Sequence, residues 1–466
     1  MTETRNRWWL VIAAGLAVFM VALDSSIVNV ALPTIGQSFH APATESEWAI
    51  LGYLLPAVAL VLPAGRWLDR SGRRPAFVLA VTGFAFSSAL AGAAPAIGWL
   101  IAARVLQGGF GALLAAIFPA LVTSAVNPGV RARAMSVVAM LGPLGAVAGP
   151  ALGGFLTATV GWPAIFYVNV PVSLLVIAIG WRTIEAGGWL GLPDRGWLFE
   201  SLLLAGATTF LLGALTEAPA RGLTWLLGAL AAVPLLMVWS RLPASRPVAE
   251  LVRGSGLGPP MAALLLNVTG IAGAAYIAPF FLEQRLHASS TVTGLAVLAF
   301  PLGMALTSSL GGYLADRWQA RGMTVIGTFV IGLGLILLAP LSKTWQPLDL
   351  SWRLAVVGVG IGLFAGPNMA VAMQQAPAHL LGTAGAATSL ARSLAFALGP
   401  ALTTVPWALS DYSLAGMREA AAVSVAAAAL ALAVTVGSWI GRRRGALGAP
   451  APPARASADR DVDLAA

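Results

Sequence analysis

Residues 8–31 read WWLVIAAGLAVFMVALDSSIVNVA, an apolar run that contains a single charged side chain, Asp24. Its length matches the roughly 20 residues that an α-helix needs to cross the hydrocarbon core of a bilayer. The run is too long for a cleavable signal peptide and lacks a clear small-residue cleavage site, so we expect it to stay in the protein. The stretch therefore predicts a first membrane-spanning helix.

The composition of the whole chain points the same way. Of its 466 residues, 58% are hydrophobic and 10% are charged, whereas soluble domains carry about 25% charged residues. The net charge of +9 does not indicate a nucleic-acid partner, because the arginines form short clusters between apolar runs and no basic face. Cysteine is absent and the histidines are far apart, so we expect no disulfide, no metal site and no cofactor.

Further apolar segments predict an all-α integral membrane protein with fourteen transmembrane helices. The seventh and eighth segments are short and are separated only by residues 217–222, so a count of twelve or thirteen stays open. The predicted spans are 8–31, 47–65, 76–94, 98–124, 134–158, 162–180, 198–216, 223–241, 259–282, 291–314, 323–341, 352–373, 383–407 and 419–440.

The distribution of arginines predicts the orientation. With both termini in the cytoplasm, the cytoplasmic segments hold clusters such as 66–74, 131–133 and 442–444. The positive-inside rule favours this arrangement and places the protein in the cytoplasmic membrane. The outer loops would hold only five basic residues, Arg221, Arg285, Lys343, Arg353 and Arg418.

An internal repeat predicts the domain organisation. Residues 65–70 read GRWLDR and residues 312–317 read GYLADR, and a GPAL run at 149–152 recurs at 399–402 with nearly the same offset. Two related six-helix halves with an insert between them explain this pattern. The predicted units are an N-terminal bundle at 1–181, a linker with two extra helices at 182–257, a C-terminal bundle at 258–441 and a disordered cytoplasmic tail at 442–466.

Asp24 is the most informative side chain of the first helix. A carboxylate inside a membrane helix costs several kcal/mol unless it is paired, hydrated or protonated, which makes Asp24 a candidate proton carrier. Arg104 lies at a similar predicted depth, roughly 10 Å below the outer surface by the rise of an α-helix, and is its candidate partner. A structural ion pair without proton traffic is the alternative interpretation.

The repeated Asp-Arg motifs are candidates for a gate at the cytoplasmic ends of the helices. Glycines permit a tight turn there, and a charged contact that breaks as the halves rock suits a two-state gate. A simple topology anchor is the alternative interpretation. The candidate gate residues are Gly65, Asp69, Arg70, Gly72, Arg73, Arg74, Asp316 and Arg317.

The fifth predicted helix is rich in small residues. Small residues four apart let helices approach closely, and a proline favours a kink, so this helix is a candidate hinge between the halves; glycine is also common elsewhere in the chain. The residues concerned are Gly145, Gly149, Pro150, Gly153 and Gly154.

A largely apolar substrate cavity is predicted to have few polar contacts. Each polar candidate, taken alone, is equally explained as a hydrogen-bonding contact between helices. Arg392 has no obvious acidic partner in the sequence, so we expect it to line a hydrated cavity or to contact backbone carbonyls. The candidates are Asn29, Tyr53, Gln107, Asn267, Tyr276, Asn368, Gln374 and Arg392.

At these motifs the chain resembles the major facilitator superfamily and, within it, the fourteen-helix drug:proton antiporters. The resemblance implies that Asp24 and Arg104 take part in proton coupling and that the glycines of the fifth helix form the antiporter motif. Ser26 and Pro163 depart from the family's usual threonine and arginine. The stretches that resemble the family's motifs are 23–33, 65–74, 104–109, 145–154 and 161–171.

The sequence therefore predicts a monomeric transporter that exports amphipathic small molecules in exchange for protons. A dedicated exporter of one metabolite or antibiotic, or a proton symporter, is the alternative within transport. A non-transporting membrane scaffold or sensor is the alternative from another class. No phosphate-binding loop and no catalytic constellation stands out, so ATP-driven transport and enzymatic activity are not expected.

Overall fold

The computed structural model describes residues 6–41, 43–46, 48–185, 187–254 and 256–447. Most of the predicted tail, from residue 448 onward, lies outside these residues. The last helix, however, continues to Leu447, so the start of that tail is helical. Every regular element in the described residues is helical, which confirms the all-α fold class. A bilayer favours this result because a helix satisfies all its backbone hydrogen bonds internally.

Six helices make up the first part of the chain, and we number them α1 to α6. Several are broken, and the break in α2 falls at Leu60, where its two pieces meet at 44°. The helices are α1 (Trp8–Phe39), α2 (Trp48–Ala59 and Val61–Asp69), α3 (Arg73–Gly92), α4 (Ile97–Ala125), α5 (Arg131–Thr159) and α6 (Ala164–Tyr167 and Asn169–Thr183).

Eight more numbered helices follow. Those of the inserted region are α7 (Arg195–Arg221) and α8 (a 3-10 turn at Leu223–Ala231 and an α-helix at Ala232–Arg241). The remaining ones are α9 (Gly258–Phe280, with a π turn at Phe281–Arg285), α10 (Ser290–Val297 and Ala299–Trp318), α11 (Ala320–Leu338), α12 (Pro347–Gln375), α13 (Leu381–Leu409) and α14 (Leu414–Leu447). A short unnumbered helix, Arg246–Arg253, lies between α8 and α9.

The number of membrane spans remains open. Within the described residues, nine helices are long and apolar enough to cross a membrane, and two bent pairs raise the number to eleven if each is one span. The second bent pair turns by 87° between α8 and the short helix that follows it. The prediction of fourteen spans and the predicted unit boundaries therefore stay predictions.

The helices pack into two bundles that meet at one end. α1 to α6 pack on one another, α9 to α14 do the same, and α5 and α13 lie at the junction. One apolar cluster lies in the first bundle and reaches into α13 at Ala386 and Ala387, and a second fills the rest of the later bundle. A third, smaller cluster lies between helices of the first bundle, around Ile27 and Phe166. We call the junction the arginine-rich end, because it carries residues 66–74, 131–133 and 316–317.

Candidate functional site

A closed polar network surrounds Asp24 inside the first bundle. Asp24 is 0% exposed, and its Oδ2 accepts a hydrogen bond from Arg104 Nη1 at 2.6 Å. Its Oδ1 accepts from Gln107 Nε2 at 3.0 Å and from Asn169 Nδ2 at 2.8 Å. The carboxylate thus has three donors, one of them cationic, and no access to solvent in this conformation. The structure brings together the two residues that the sequence proposed as a pair.

Arg104 is held as firmly as its partner. Its Nε donates to the carbonyl oxygen of Ala49 at 2.9 Å, and its Nη1 also reaches Gln107 Oε1 at 2.7 Å. The guanidinium lies 4.4 Å from the ring centroid of Tyr53, a distance at which a cation is attracted by an aromatic face. α1, α2, α4 and α6 therefore share one network through Asp24 and Arg104.

Asn169 is a network residue that sequence reasoning missed. It begins the second piece of α6, is 0% exposed, and also donates to Ser88 Oγ at 3.0 Å. The signal was an amide in an otherwise apolar run. That signal does not say which neighbouring helix the amide faces, because buried asparagines commonly serve helix packing alone.

The network holds two opposite charges that the surrounding helices close off from solvent. A buried ion pair loses several kcal/mol when one partner is removed, because the other charge is left uncompensated. The pair therefore ties the position of α1 to that of α4.

Asp69 joins the two bundles at the arginine-rich end. Its Oδ1 accepts from the backbone N–H of Gly382 at 2.6 Å, and its Oδ2 accepts from the N–H and the hydroxyl of Thr383 at 2.8 and 2.6 Å. These groups lie in the first turn of α13. A carboxylate is favoured there because the unpaired N–H groups and the helix dipole carry partial positive charge.

Asp316 makes the reciprocal contact. Its two oxygens accept from the backbone N–H groups of Ala132 and Arg133, in the first turn of α5, at 3.0 and 3.1 Å. Each bundle thus presents one carboxylate to the N-terminus of a helix in the other. Together these contacts form a two-part latch between the bundles, which we call the aspartate latch (Asp69 and Asp316).

The other residues of the charged motifs have different surroundings. Gly65 lies against Gly382, where an added Cβ would be 2.6 Å from a carbonyl oxygen, so α2 and α13 touch through their backbones. Arg70 pairs with Asp194 at 3.2 Å on the surface, Arg74 lies over the ring of Trp181, and Arg317 donates to a tyrosine of its own helix. Gly72 packs on residues 187 and 188, and Arg73 is exposed.

The glycine stripe of α5 lets this helix pack directly on α1. An added Cβ at Gly145 would collide with the carbonyl oxygen of Phe19, at Gly149 with the side chain of Ser26, and at Gly153 with Ile27. Gly154 faces open space. Pro150 lies within the continuous helix α5, and its side chain is outside the described ones. The stripe thus positions α1, which carries Asp24, against the helix that accepts the Asp316 latch.

Four of the eight polar cavity candidates make contacts between packed helices. Tyr53 and Gln107 belong to the Asp24 network. Asn267 donates to Thr328 Oγ1 at 3.0 Å, and Asn368 donates to the carbonyl oxygen of Pro260 at 3.1 Å. These four side chains are buried between helices and the structure does not bring them together around one cavity. The other four candidates keep some exposure: Asn29, Tyr276, Gln374 and Arg392.

A second buried ion pair, which sequence reasoning also missed, ties the inserted helix α7 to α2. Arg66 Nη1 donates to Oε2 of Glu200, and the two side chains are 9% and 0% exposed. Trp239 of α8 donates to Oε1 of the same carboxylate at 3.1 Å. Since α7 also packs on α13, the insert is anchored beside the aspartate latch.

We expect Glu200→Gln to lower the melting temperature of the purified protein by several degrees. The substitution leaves Arg66 buried without a counter-ion, which costs about 3–5 kcal/mol. The double variant Arg66→Gln/Glu200→Gln should recover part of the loss, because it removes both charges. Asp194→Asn is the matched control, since its pair is exposed and worth about 0–1 kcal/mol. An unchanged melting temperature for Glu200→Gln would contradict this assignment.

Comparison with known proteins gives a consistent family assignment. A family model described as Major Facilitator Superfamily matches residues 14–400. The tetracenomycin C resistance and export protein of Streptomyces glaucescens is 30% identical over 436 residues, which cover 89% of this chain and 81% of that protein. The puromycin resistance protein of Streptomyces alboniger is 33% identical over 412 residues, covering 85% and 81%.

A solved structure supports the same architecture. The structure of the proton:xylose symporter XylE, a major facilitator superfamily protein, superposes with a TM-score of 0.66 and covers 92% of this chain and 94% of that one. The two sequences are 15% identical, so this likeness concerns the fold alone.

Proposed function

The chain belongs to the major facilitator superfamily of transporters, and we propose that it exports amphipathic small molecules across the cytoplasmic membrane in exchange for protons. The relatives named above are antibiotic resistance and export proteins, which favours export of a drug-like compound over uptake of a nutrient. A dedicated exporter of one antibiotic is the second candidate, favoured by the name of the Streptomyces glaucescens relative. Transporters of this superfamily are not enzymes.

The observation that carries the proposal is the closed network around Asp24. A carboxylate that is 0% exposed and bound by Arg104 cannot exchange a proton in this conformation. It gains access to a proton only when the helices around it move, and such coupling between protonation and conformation is what an exchanger requires. A carboxylate in continuous contact with water would titrate independently of the transport cycle.

The aspartate latch supports alternating access. We assign the arginine-rich end to the cytoplasm, because basic residues are retained on that side. The described conformation, with Asp69 and Asp316 engaged, then has its cytoplasmic end closed. In the proposed cycle, α1 shifts against the glycine stripe of α5 and separates Arg104 from Asp24, Asp24 takes up a proton, and the latch opens to admit substrate. Release of the proton to the cytoplasm restores the closed latch.

Transport in inside-out membrane vesicles tests the proposal. We expect an imposed proton gradient to drive uptake of the amphipathic dye rhodamine B into vesicles that contain the protein, and we expect an uncoupler to stop this uptake. Each turnover should release protons to the outside of the vesicle, which a pH-sensitive dye records. Vesicles without the protein are the control. Uptake that continues at the same rate after the uncoupler is added would exclude proton exchange.

A further inference from the structure

Arg392 lies on α13, the thirteenth predicted span, and has no counter-ion among the described residues. It lies midway along α13 and is half-buried. The two buried arginines among the described residues each pair with a carboxylate, Arg104 with Asp24 and Arg66 with Glu200. Among the residues that the structure describes, none forms a hydrogen bond or ion pair with Arg392. Its charge is therefore uncompensated, which is costly in a membrane helix and marks a functional position.

The position of Arg392 on α13 places it between the bundles. Residues 385, 389, 392 and 396 lie on one face of the helix. At Gly385 this face touches α4, where an added Cβ would be 2.8 Å from the carbonyl oxygen of Ala116. One turn further, Ser389 Oγ donates to the carbonyl oxygen of Ala115 at 3.0 Å. The face of α13 that carries Arg392 is therefore turned towards the first bundle.

The exposure of that face rises with distance from the aspartate latch. Gly385 is buried, Ser389 and Arg392 are half-buried, and Phe396 is 58% exposed. This gradient is what a separation of the bundles just beyond Ser389 would produce, and Arg392 is the first charged side chain along that face. Phe396 adds an aromatic surface one turn above the guanidinium.

We propose that Arg392 binds an anionic group of the transported molecule, a carboxylate in the first instance. This inference rests on the proposed export function and names its substrate class: an amphipathic organic anion or zwitterion. The planar guanidinium offers paired N–H donors that match the two oxygens of a carboxylate. The exposed Phe396 ring suits the apolar part of the same molecule. Binding of the anion supplies the counter-ion that the protein does not.

A matched pair of dyes tests this assignment on the intact protein. Rhodamine B carries a carboxylate, and its ethyl ester has the same ring system without that negative charge. Fluorescence anisotropy in nanodiscs of phosphatidylcholine measures the affinity of both dyes, with no anionic lipid present to compete, and empty nanodiscs give the background. We expect the wild type to bind the acid at least about tenfold more tightly than the ester. A single hydrogen bond to a charged group is enough to account for a difference in affinity of this size.

Variants at Arg392 then attribute the preference to this side chain. We expect Arg392→Gln to bind both dyes equally and Arg392→Lys to keep part of the preference, because it keeps the charge. Ester binding by Arg392→Gln shows that the variant is folded. A wild type that binds the ester as tightly as the acid, or that binds neither dye, overturns the inference, and so does an Arg392→Gln variant that keeps the preference.

The dye-binding result is separate from the test of proton exchange. Binding in nanodiscs needs no proton gradient, so the charge preference is measured whether or not transport is coupled. A carboxylate preference together with uptake that ignores the uncoupler would retain the anion site and remove the exchange mechanism. Uncoupler-sensitive transport without any preference for the acid would retain the exchange mechanism and remove the anion site.

Discussion

Asp24→Asn should abolish gradient-driven dye uptake in protein that still inserts into the membrane, and it should lower the melting temperature as Glu200→Gln does, because Arg104 loses its counter-ion. The asparagine keeps the size of the side chain and can accept from Gln107 or Asn169, but it neither carries a proton nor neutralises Arg104. We therefore expect uptake in inside-out vesicles to fall to the level of vesicles without the protein. Downhill movement of the dye, which needs no proton, is expected to persist at a reduced rate.

Glu283→Gln is the matched control for this variant. It removes one carboxylate from an exposed position at the end of α9, where the described residues offer Glu283 no hydrogen-bond partner. We expect it to transport as the wild type does. If Asp24→Asn retained proton-driven uptake, this carboxylate would have no part in coupling, and the network around it would be a structural ion pair, the alternative that the sequence left open.

Asp69→Ala should open the cytoplasmic end of the transporter and disable transport. The substitution removes three hydrogen bonds to a carboxylate between α2 and α13. Hydrogen bonds to charged groups are worth about 1.5–3 kcal/mol each. We therefore expect the population of the closed conformation, relative to the open one, to fall at least about 100-fold. Transport slows because a cycle needs both conformations.

Cysteine labelling measures the opening directly. The chain has no native cysteine, so Ser389→Cys introduces a single reactive position at the contact between α13 and α4. An impermeant maleimide added to inside-out vesicles reaches this position only when the cytoplasmic end is open. We expect Asp69→Ala to raise the labelling rate at least about tenfold.

Two further variants define the specificity of this effect. Asp316→Ala should raise the labelling rate less, because it removes two longer hydrogen bonds instead of three shorter ones. Glu185 has an 88% exposed side chain, and an exposed ion pair contributes little, so Glu185→Gln should leave the labelling rate unchanged. Equal labelling of Asp69→Ala and the wild type would mean that the aspartate latch does not hold the bundles together.

Local sequence patterns were sufficient to predict the fold class and to recognise the charged residues within the apolar segments. The length of the apolar runs predicts membrane helices because hydrocarbon thickness sets the length of a span. The same reasoning makes any charge inside such a run conspicuous, which is how Asp24, Arg104 and Arg392 were recognised. The depth of Asp24 and Arg104 along their helices was also enough to propose them as partners, since depth follows from counting residues.

The sequence did not show in which direction a polar side chain points around the axis of its helix. Asn267 and Asn368 have the same appearance in sequence as a cavity residue, yet both donate to groups of neighbouring helices. Glu200 and Asn169 lie in apolar runs and passed unremarked, although each is completely buried against a polar partner. Whether a polar side chain faces a neighbour or an open space depends on which helix lies beside it.

The amino-acid sequence alone determined that this protein crosses a membrane by helices, that it contains a repeated motif, and that a few charges lie within its apolar segments, because these properties follow from one helix at a time. Only the tertiary structure decided that Asp24 is closed off by three donors, that Asp69 and Asp316 reach across to the opposite bundle, and that none of the described residues supplies Arg392 with a counter-ion. The physical reason is that charge compensation in a low-dielectric interior is a property of pairs of groups, and the pairs are chosen by packing between helices that are far apart in sequence.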